Sequence, residues 1–166
     1  MALADSASRT VVAACLENGA IDAVASTDPA DSADLLAARR MAYPALEHLG
    51  AVLLDDVCVP LSKIVDLVTG VEMIALANQQ MIGIFGHAGD GNMHPTIVYD
   101  NGDEIAAAKV NTAFHEIIAL AQSLGATASG EHGIGSIRGR AAEVELGHRV
   151  IELQRQIKSP SILTRS

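Results

Sequence analysis

The sequence predicts an α+β fold in which helices cover one face of a mixed or antiparallel sheet. Helical and strand-like segments alternate along the chain, and several joins between them are too short for parallel crossover connections. Two apolar runs, 81–85 and 96–99, flank a glycine-rich turn as the arms of a hairpin do. The chain has 166 residues, the length of one ordinary domain, and we expect a single domain over residues 1–166.

The first third of the chain is predicted to be mainly helical. Apolar spacing predicts helices over 7–18 and about 32–48, the second interrupted at Pro44, because a proline disrupts a helix interior. Thr27-Asp28-Pro29 and Asp31-Ser32 supply turn and N-cap chemistry ahead of the second helix. The short apolar run 21–25 predicts a strand between the two helices.

The rest of the chain continues the alternation. In chain order, the pattern predicts a strand over 51–60, a helix from about 60 to 80, strands over 81–85 and 96–99, a helix over 104–124 and a last helix over about 141–158.

Composition excludes several classes of partner. The formal net charge is −9 and the pI is near 4.9, which does not favour binding to the phosphate backbone of nucleic acid. Only Tyr43, Phe85, Tyr99 and Phe114 are aromatic, too few to stack bases. We therefore expect no nucleic-acid partner.

Neither a membrane span nor a secretion signal is expected. No run of about eighteen apolar residues free of charge occurs. The first twenty residues carry Asp5, Arg9 and Glu17, unlike a signal peptide, so we expect a cytoplasmic protein. The spacing of Cys15 and Cys58 fits neither a zinc knuckle nor a redox pair, and both are expected to be buried thiols.

The residues suited to chemistry concentrate in two glycine-rich loops, 86–95 and 125–139. Three of the six histidines, His87, His94 and His132, lie in them. Glycines remove side chains, so that backbone and imidazoles can approach a ligand closely. This clustering favours a functional site over isolated surface histidines. We expect His48, His115 and His148, which lie in helical segments, to have no such role.

Phosphate binding is the weaker interpretation of these loops. Both carry Gly-x-x-Gly-x-Gly, at 86–91 and 130–135, whereas a dinucleotide fingerprint reads Gly-x-Gly-x-x-Gly and leads from a strand into a helix. The first loop instead leads into a strand.

Metal binding is better motivated. His87 and His94 flank a turn, and Glu131 adds a carboxylate, a donor set that suits Zn²⁺ or another first-row divalent ion. His132, next to Glu131, would be placed to act as a base. The residue pattern alone leaves other site chemistries open.

Other polar residues have competing interpretations. Asp90 precedes a glycine and is expected to stabilise a turn. Arg39 and Arg40 are suited to gripping a carboxylate, although an exposed basic pair is usually only solvated. Asp55 and Asp56 are either paired acids or, for Asp56, the cap of a turn.

Two long motifs resemble a known family. Phe85-Gly-His-Ala-Gly-Asp-Gly-Asn-Met-His-Pro95 and Ser129-Gly-Glu-His-Gly-Ile-Gly135 are similar to the signatures of the C-terminal domain of FAD-linked oxidases, the family of glycolate oxidase flavin subunits, D-lactate dehydrogenases and D-2-hydroxyglutarate dehydrogenase. Weaker matches at 38–45 and 56–60 extend the likeness over roughly residues 30 to 158.

The resemblance implies a ferredoxin-like cap domain with helices mainly on one face of its sheet. FAD would be held mainly by a separate domain or subunit, and this chain would be incomplete at its N-terminal side. His87, His94 and Glu131 match the family's metal ligands, with Zn²⁺ favoured, His132 its base, and Arg39 an arginine that binds the substrate carboxylate. No residue of this chain is assigned to FAD.

The implied reaction oxidises a small D-2-hydroxy acid. His132 would take the hydroxyl proton while hydride leaves Cα for the flavin. Leu54 and Thr96 stand where some members place a substrate-binding lysine and asparagine, which favours a lactate-like or glycolate-like monocarboxylate over a diacid. The C-terminal end, 159–166, departs from the family's usual tail.

Two further functions remain open at this point. One is a stand-alone divalent-metal hydrolase built on the same ligands, and the other is a non-catalytic binding module derived from the cap. An apolar surface is expected where the flavin domain would pack, and a homo-oligomer is another way to cover it.

Overall fold

The computed structural model describes residues 2–102, 104–127, 129–130, 132–135 and 137–161. The chain divides into two compact units, Met1–Ala45 and Leu46–Ser166. The helices are α1 (Ala2–Glu17), α2 (Pro29–Arg40), α3 (Ala42–Glu47), α4 (Ile64–Asn78), α5 (Glu104–Ser123) and α6 (Gly139–Ser161), with a 3₁₀ turn at Leu61–Lys63. The strands are β1 (Ala51–Leu54), β2 (Val57–Cys58), β3 (Met81–His87) and β4 (Asn92–Tyr99).

The first unit is helical where it has regular structure. The Asp28 carboxylate accepts a 2.7 Å hydrogen bond from the Ala30 N–H and caps α2, as predicted. The predicted break near Pro44 is confirmed, since α2 ends at Arg40 and α3 begins afresh. The strand predicted over 21–25 is wrong. Ile21 is fully exposed, and none of the described strands lies beside this run to pair with it.

The second unit is built on an antiparallel sheet. The central strand β4 pairs with β1 and β2 along one edge and with β3 along the other. The single strand predicted over 51–60 is interrupted at Asp55 and Asp56, so that β1 and β2 pair with successive parts of β4. The predicted antiparallel sheet is confirmed.

One face of the sheet packs on helices. Side chains alternate between the faces of a strand, and the β4 residues Met93 and Ile97 enter the hydrophobic core with Ile82 and Ile84 of β3. The same core contains Leu67 and Val71 from α4 and Phe114 and Ile117 from α5. Helices α4 and α5 therefore cover this face, and the predicted α+β class is confirmed.

The opposite face carries polar groups, and we call it the site face. Phe85 pairs with His94 across the hairpin, and His87 pairs with Asn92. Residues that are directly opposite in antiparallel strands project to the same side of the sheet. The hairpin register therefore places His87 and His94 together on the site face.

Several details differ from the predictions. The hairpin strands are longer than expected, so His87 and His94 lie in β3 and β4 rather than in the turn, which is confined to 88–91. Helix α6 is interrupted at Gly147. Cys15 is exposed and Cys58 is half-buried, so the expectation of two buried thiols is wrong. None of the described helices is long and apolar enough to span a membrane.

Candidate active site

Three imidazoles from the two glycine-rich loops lie together in the second unit. The ring centroids of His87 and His94 are 5.2 Å apart, and those of His94 and His132 are 5.8 Å apart. The first pair meets edge to face and the second is stacked. The fold thus brings together the three histidines that the sequence singled out. His48, His115 and His148 are exposed and belong to the helical regions, as expected.

The three rings differ in their access to solvent. The His94 side chain is 8% exposed, that of His87 is 35% exposed and that of His132 is 60% exposed. His94 is therefore the buried centre of the cluster. His132 is the ring most accessible to a small molecule from solvent.

Buried polar side chains mark this region. Among the described residues, those that are charged or polar and buried are Asp55, Asp56, Asn92, His94, Thr96 and Arg138. All of them belong to the site face of β4 or to the segments that approach it. A folded protein rarely buries so many polar groups in one place without a partner or a function for them.

Asp56 lies between the two histidine-bearing loops. Its Oδ2 accepts a 2.8 Å hydrogen bond from the backbone N–H of His132. Its Oδ1 is 3.5 Å from Nδ1 of His94, and its Oδ2 is 3.9 Å from Nδ1 of His132. The interpretation of Asp56 as a simple turn cap is therefore incomplete, because its carboxylate contacts residues remote in sequence.

Arg138 contacts both Asp55 and Asp56. Its guanidinium donates to the Asp56 carbonyl oxygen and pairs with the Asp55 carboxylate. Burial raises the pKa of the Asp55 carboxyl above its ordinary value, and the charge of Arg138 opposes this rise. Asp55 and Asp56 are thus a buried acidic pair anchored by one arginine.

Asp90 has the turn role that the sequence predicts. Its Oδ1 accepts from the backbone N–H of Asn92 at 3.1 Å, which closes the hairpin turn. That hydrogen bond lowers the pKa of the Asp90 carboxyl, and His87, whose Nδ1 lies 3.5 Å from Oδ2, acts in the same direction.

A cleft of about 280 Å³ opens beside the exposed ring of His132. The residues that line it come from β1, from α5 and from the second glycine-rich loop: Leu53, Leu54, Asp56, Phe114, His132, Gly133, Ile134, Gly135, Ile137 and Arg138. Its volume suits a small molecule rather than a large cofactor.

Two predicted site residues stay predictions. Glu131 lies outside the described residues. Arg39 is exposed on the last turn of α2, in the first compact unit. Within the described ranges, no set of three or more His, Cys, Asp or Glu side chains is arranged to hold a metal ion. The predicted metal site therefore stays a prediction.

Sequence reasoning missed Arg138, and it raised Asp56 only as one of two paired acids or as the cap of a turn. The available signal was the pair of adjacent acids that interrupts a valine-rich and leucine-rich run, because two carboxylates inside a buried strand require a nearby cation. The two acids are adjacent in the sequence, but Arg138 lies 82 positions beyond Asp56, so no local sequence pattern indicates it.

Comparison with known proteins decides the family. The model of the FAD linked oxidases, C-terminal domain, matches residues 2–160. The chain belongs to this family. The match runs through both compact units and includes both glycine-rich loops.

Similar proteins include enzymes that act on small hydroxy acids. The chain is 34% identical over 150 residues to the glycolate oxidase subunit GlcD of Bacillus subtilis, which covers 90% of this chain and 32% of that protein. It is 38% identical over 142 residues to a D-lactate dehydrogenase of Archaeoglobus fulgidus, covering 84% and 30%. The chain thus spans about a third of the length of these relatives.

Proposed function

We propose that this chain is the substrate-side domain of an FAD-linked oxidoreductase that oxidises a small D-2-hydroxy acid, of the lactate or glycolate type, to the 2-oxo acid. The observation that carries the proposal is the cluster of His87, His94 and His132, in which the buried carboxylate of Asp56 lies beside His94 and His132. The names of the similar proteins, glycolate oxidase and D-lactate dehydrogenase, support the choice of substrate class.

FAD is proposed to be held mainly by another domain or subunit. Family membership supports this division, because the matching model is that of the C-terminal domain of FAD linked oxidases. The relatives are also about three times as long as the matched segment. FAD, when bound, supplies the acceptor for hydride.

A divalent ion fits part of the site. The chemistry of the donor set suits Zn²⁺, with imidazole nitrogens from His87 and His94 and a carboxylate from Glu131. In the described structure, the buried Oδ1 of Asp56 lies 3.5 Å from Nδ1 of His94, a place that suits the carboxylate partner of a metal-binding imidazole. The ion would supply Lewis-acid polarisation of the substrate oxygen.

His132 is proposed as the base. Its ring is exposed at the cleft, and its Nδ1 faces the Asp56 carboxylate. A neutral imidazole that carries its proton on Nδ1 has its basic lone pair on Nε2. The substrate hydroxyl proton passes to Nε2 while the Cα hydrogen leaves with both electrons of its bond, and the C–O single bond becomes a carbonyl.

Arg39 is proposed to bind the substrate carboxylate. A guanidinium offers two parallel N–H donors to the two carboxylate oxygens, which fixes the acid in one orientation. This assignment rests on the match of residues 38–45 to the family segment.

The walls of the cleft favour a monocarboxylate. Leu54 lines the cleft and pairs across the sheet with Thr96, which is completely buried. Neither side chain offers a positive charge for a second carboxylate. A diacid would leave its distal charge against an apolar wall, which is unfavourable.

Titration of D-lactate into the Zn²⁺-loaded chain tests the proposal, with His132→Ala compared with His115→Ala. We expect binding in the wild type and in His115→Ala, because His115 lies exposed on α5. Binding should be weaker by about fivefold in His132→Ala, which loses the hydrogen bond between the imidazole and the substrate hydroxyl. D-2-Hydroxyglutarate should bind more weakly than D-lactate.

Equal D-lactate binding by all three proteins would contradict the site assignment. Hydrolysis of an ester or peptide that is lost on chelation would favour a metal hydrolase. Binding of neither metal nor hydroxy acid would favour a non-catalytic module. Family membership favours the oxidoreductase over both.

A further inference from the structure

The Asp56 carboxylate contacts both glycine-rich loops, through His94 and through His132. It sits where β1 ends and β2 has not begun, and only 2% of the residue is exposed. Its hydrogen-bond partner, the His132 N–H, lies 76 positions further along the chain. By contrast, the carboxylates of Asp90 and Asp100 each bond an N–H two residues on, as turn-forming aspartates do.

The two oxygens of Asp56 are directed to different histidines. Oδ1 faces the His94 ring at Nδ1, 3.5 Å away, and Oδ2 holds the His132 backbone N–H at 2.8 Å. A carboxylate beside one imidazole nitrogen favours the tautomer that carries its proton there, which leaves the other nitrogen as the lone-pair donor. On His94 that donor would be Nε2.

The surroundings keep the carboxylate in this place. Gly130 packs so closely on it that a Cβ at that position would collide with the carboxylate carbon and both oxygens. Arg138 holds the Asp56 carbonyl and the neighbouring Asp55 carboxylate. Rotation of the Asp56 side chain would break its hydrogen bond to the His132 N–H, and the buried carboxylate would lose that partner.

We propose that Asp56 is a positioning residue, with one oxygen setting the tautomer and orientation of the His94 ring and the other fixing the His132 loop beside it. This inference deepens the proposed function and rests on it for the role of the two histidines. Asp56 itself acts through these rings and does not contact the substrate.

The test compares the wild type with Asp56→Asn and with Asp66→Asn. In Asp56→Asn the amide oxygen can still accept from the His132 N–H, so its NH₂ group turns to His94. Nδ1 of His94 must then accept, and the ring proton moves to Nε2. Asp66, exposed on α4 and paired with Lys63, gives the same substitution away from the site.

Two readouts are measured at about pH 8, where an ordinary imidazole is neutral. Nitrogen NMR of the metal-free chain should show the His94 proton on Nδ1 in the wild type and in Asp66→Asn, and on Nε2 in Asp56→Asn. Competition with a chelating dye should show Zn²⁺ bound about 10- to 100-fold more weakly by Asp56→Asn.

A wild-type His94 with its proton on Nε2 would overturn the proposal even if Asp56→Asn failed to fold. Unchanged tautomers and unchanged Zn²⁺ affinity in a folded Asp56→Asn would also overturn it. If the tautomer moves as expected but no variant binds Zn²⁺, Asp56 positions the ring and the metal part of the proposed function fails instead.

Discussion

At the scale of single residues, the site depends on buried charge that is held in place. Asp55 and Asp56 are buried side by side, and Arg138 contacts both. Two carboxylates in a protein interior are tolerated only with a cation and hydrogen bonds close by. Arg138, which lies 82 positions beyond Asp56, therefore helps to hold the site together.

Replacing Arg138 with methionine should destabilise the fold by about 3 kcal/mol, because Asp55 is left as a buried, unpaired charge. Arg149→Met is the matched control, since Arg149 pairs with Glu152 on the exposed surface of α6 and such pairs contribute about 0 to 1 kcal/mol. Urea unfolding of both variants measures the difference. Equal losses of unfolding free energy in the two variants would show that the buried Arg138–Asp55 pair stabilises the fold no more than an exposed pair does.

The loss of unfolding free energy in Arg138→Met should depend on pH. Burial raises the pKa of Asp55 in the folded chain above its ordinary value, and loss of Arg138 removes the main opposing influence. The folded state then binds the proton more tightly than the unfolded state, so stability falls as pH rises through the raised pKa. Urea unfolding at about pH 4.5 should show a smaller defect than at about pH 7. A defect that grows on acidification would contradict this assignment.

Gly130 tests the contact between the second loop and Asp56. A methyl group at 130 meets the Asp56 carboxylate, which the His132 N–H holds, so Gly130→Ala should destabilise the chain by about 1 to 3 kcal/mol. At Gly139 an added Cβ meets nothing within 4 Å, and Gly139→Ala should be close to neutral. Thermal unfolding compares the two. Similar melting temperatures would mean that the loop moves aside freely.

At the scale of elements, the hairpin decides which residues meet. The sequence predicted two strands and a glycine-rich turn, and these form. The strands extend farther into the loop than apolar runs indicate, because Gly86 and His87 join the ladder through backbone hydrogen bonds that need no apolar side chain. Conversely, the apolar run 21–25 has no neighbouring strand among the described elements, and apolarity alone did not make it one.

Gly91 fixes the end of this hairpin. Its φ is +82°, and a Cβ there would collide with the carbonyl oxygen of Val59, so Gly91→Ala should lower stability by about 1 to 3 kcal/mol. Gly89, in the same turn, has open space around its Cβ position and should tolerate alanine. Thermal unfolding of the two variants checks this. A Gly89→Ala protein as unstable as Gly91→Ala would refute it.

At the scale of the whole molecule, local patterns revealed the candidate site only in part. Glycine spacing located both loops, and the histidines within them meet in the fold. The contribution of Asp56 depends on a contact across 76 positions, which no local pattern contains. The assignment of FAD chemistry came from family resemblance rather than from periodicity or charge.

The chain also exposes many large apolar side chains. They include Val65, Met73 and Leu76 on α4 and Val144 and Ile157 on α6. Where exposed apolar side chains form a contiguous patch, that patch is typical of a domain that contacts a partner. It is consistent with the proposed flavin-binding domain or subunit, and a homo-oligomer stays a prediction.

The central claim is that two separate loops build one site, and a single NMR titration tests it most directly. Zn²⁺ is added to the intact chain while the side-chain signals of all six histidines are followed. We expect His87, His94 and His132 to shift together with saturation, while His48, His115 and His148 stay unchanged. Shifts spread over all six rings, or confined to the three outside the site, would contradict the account.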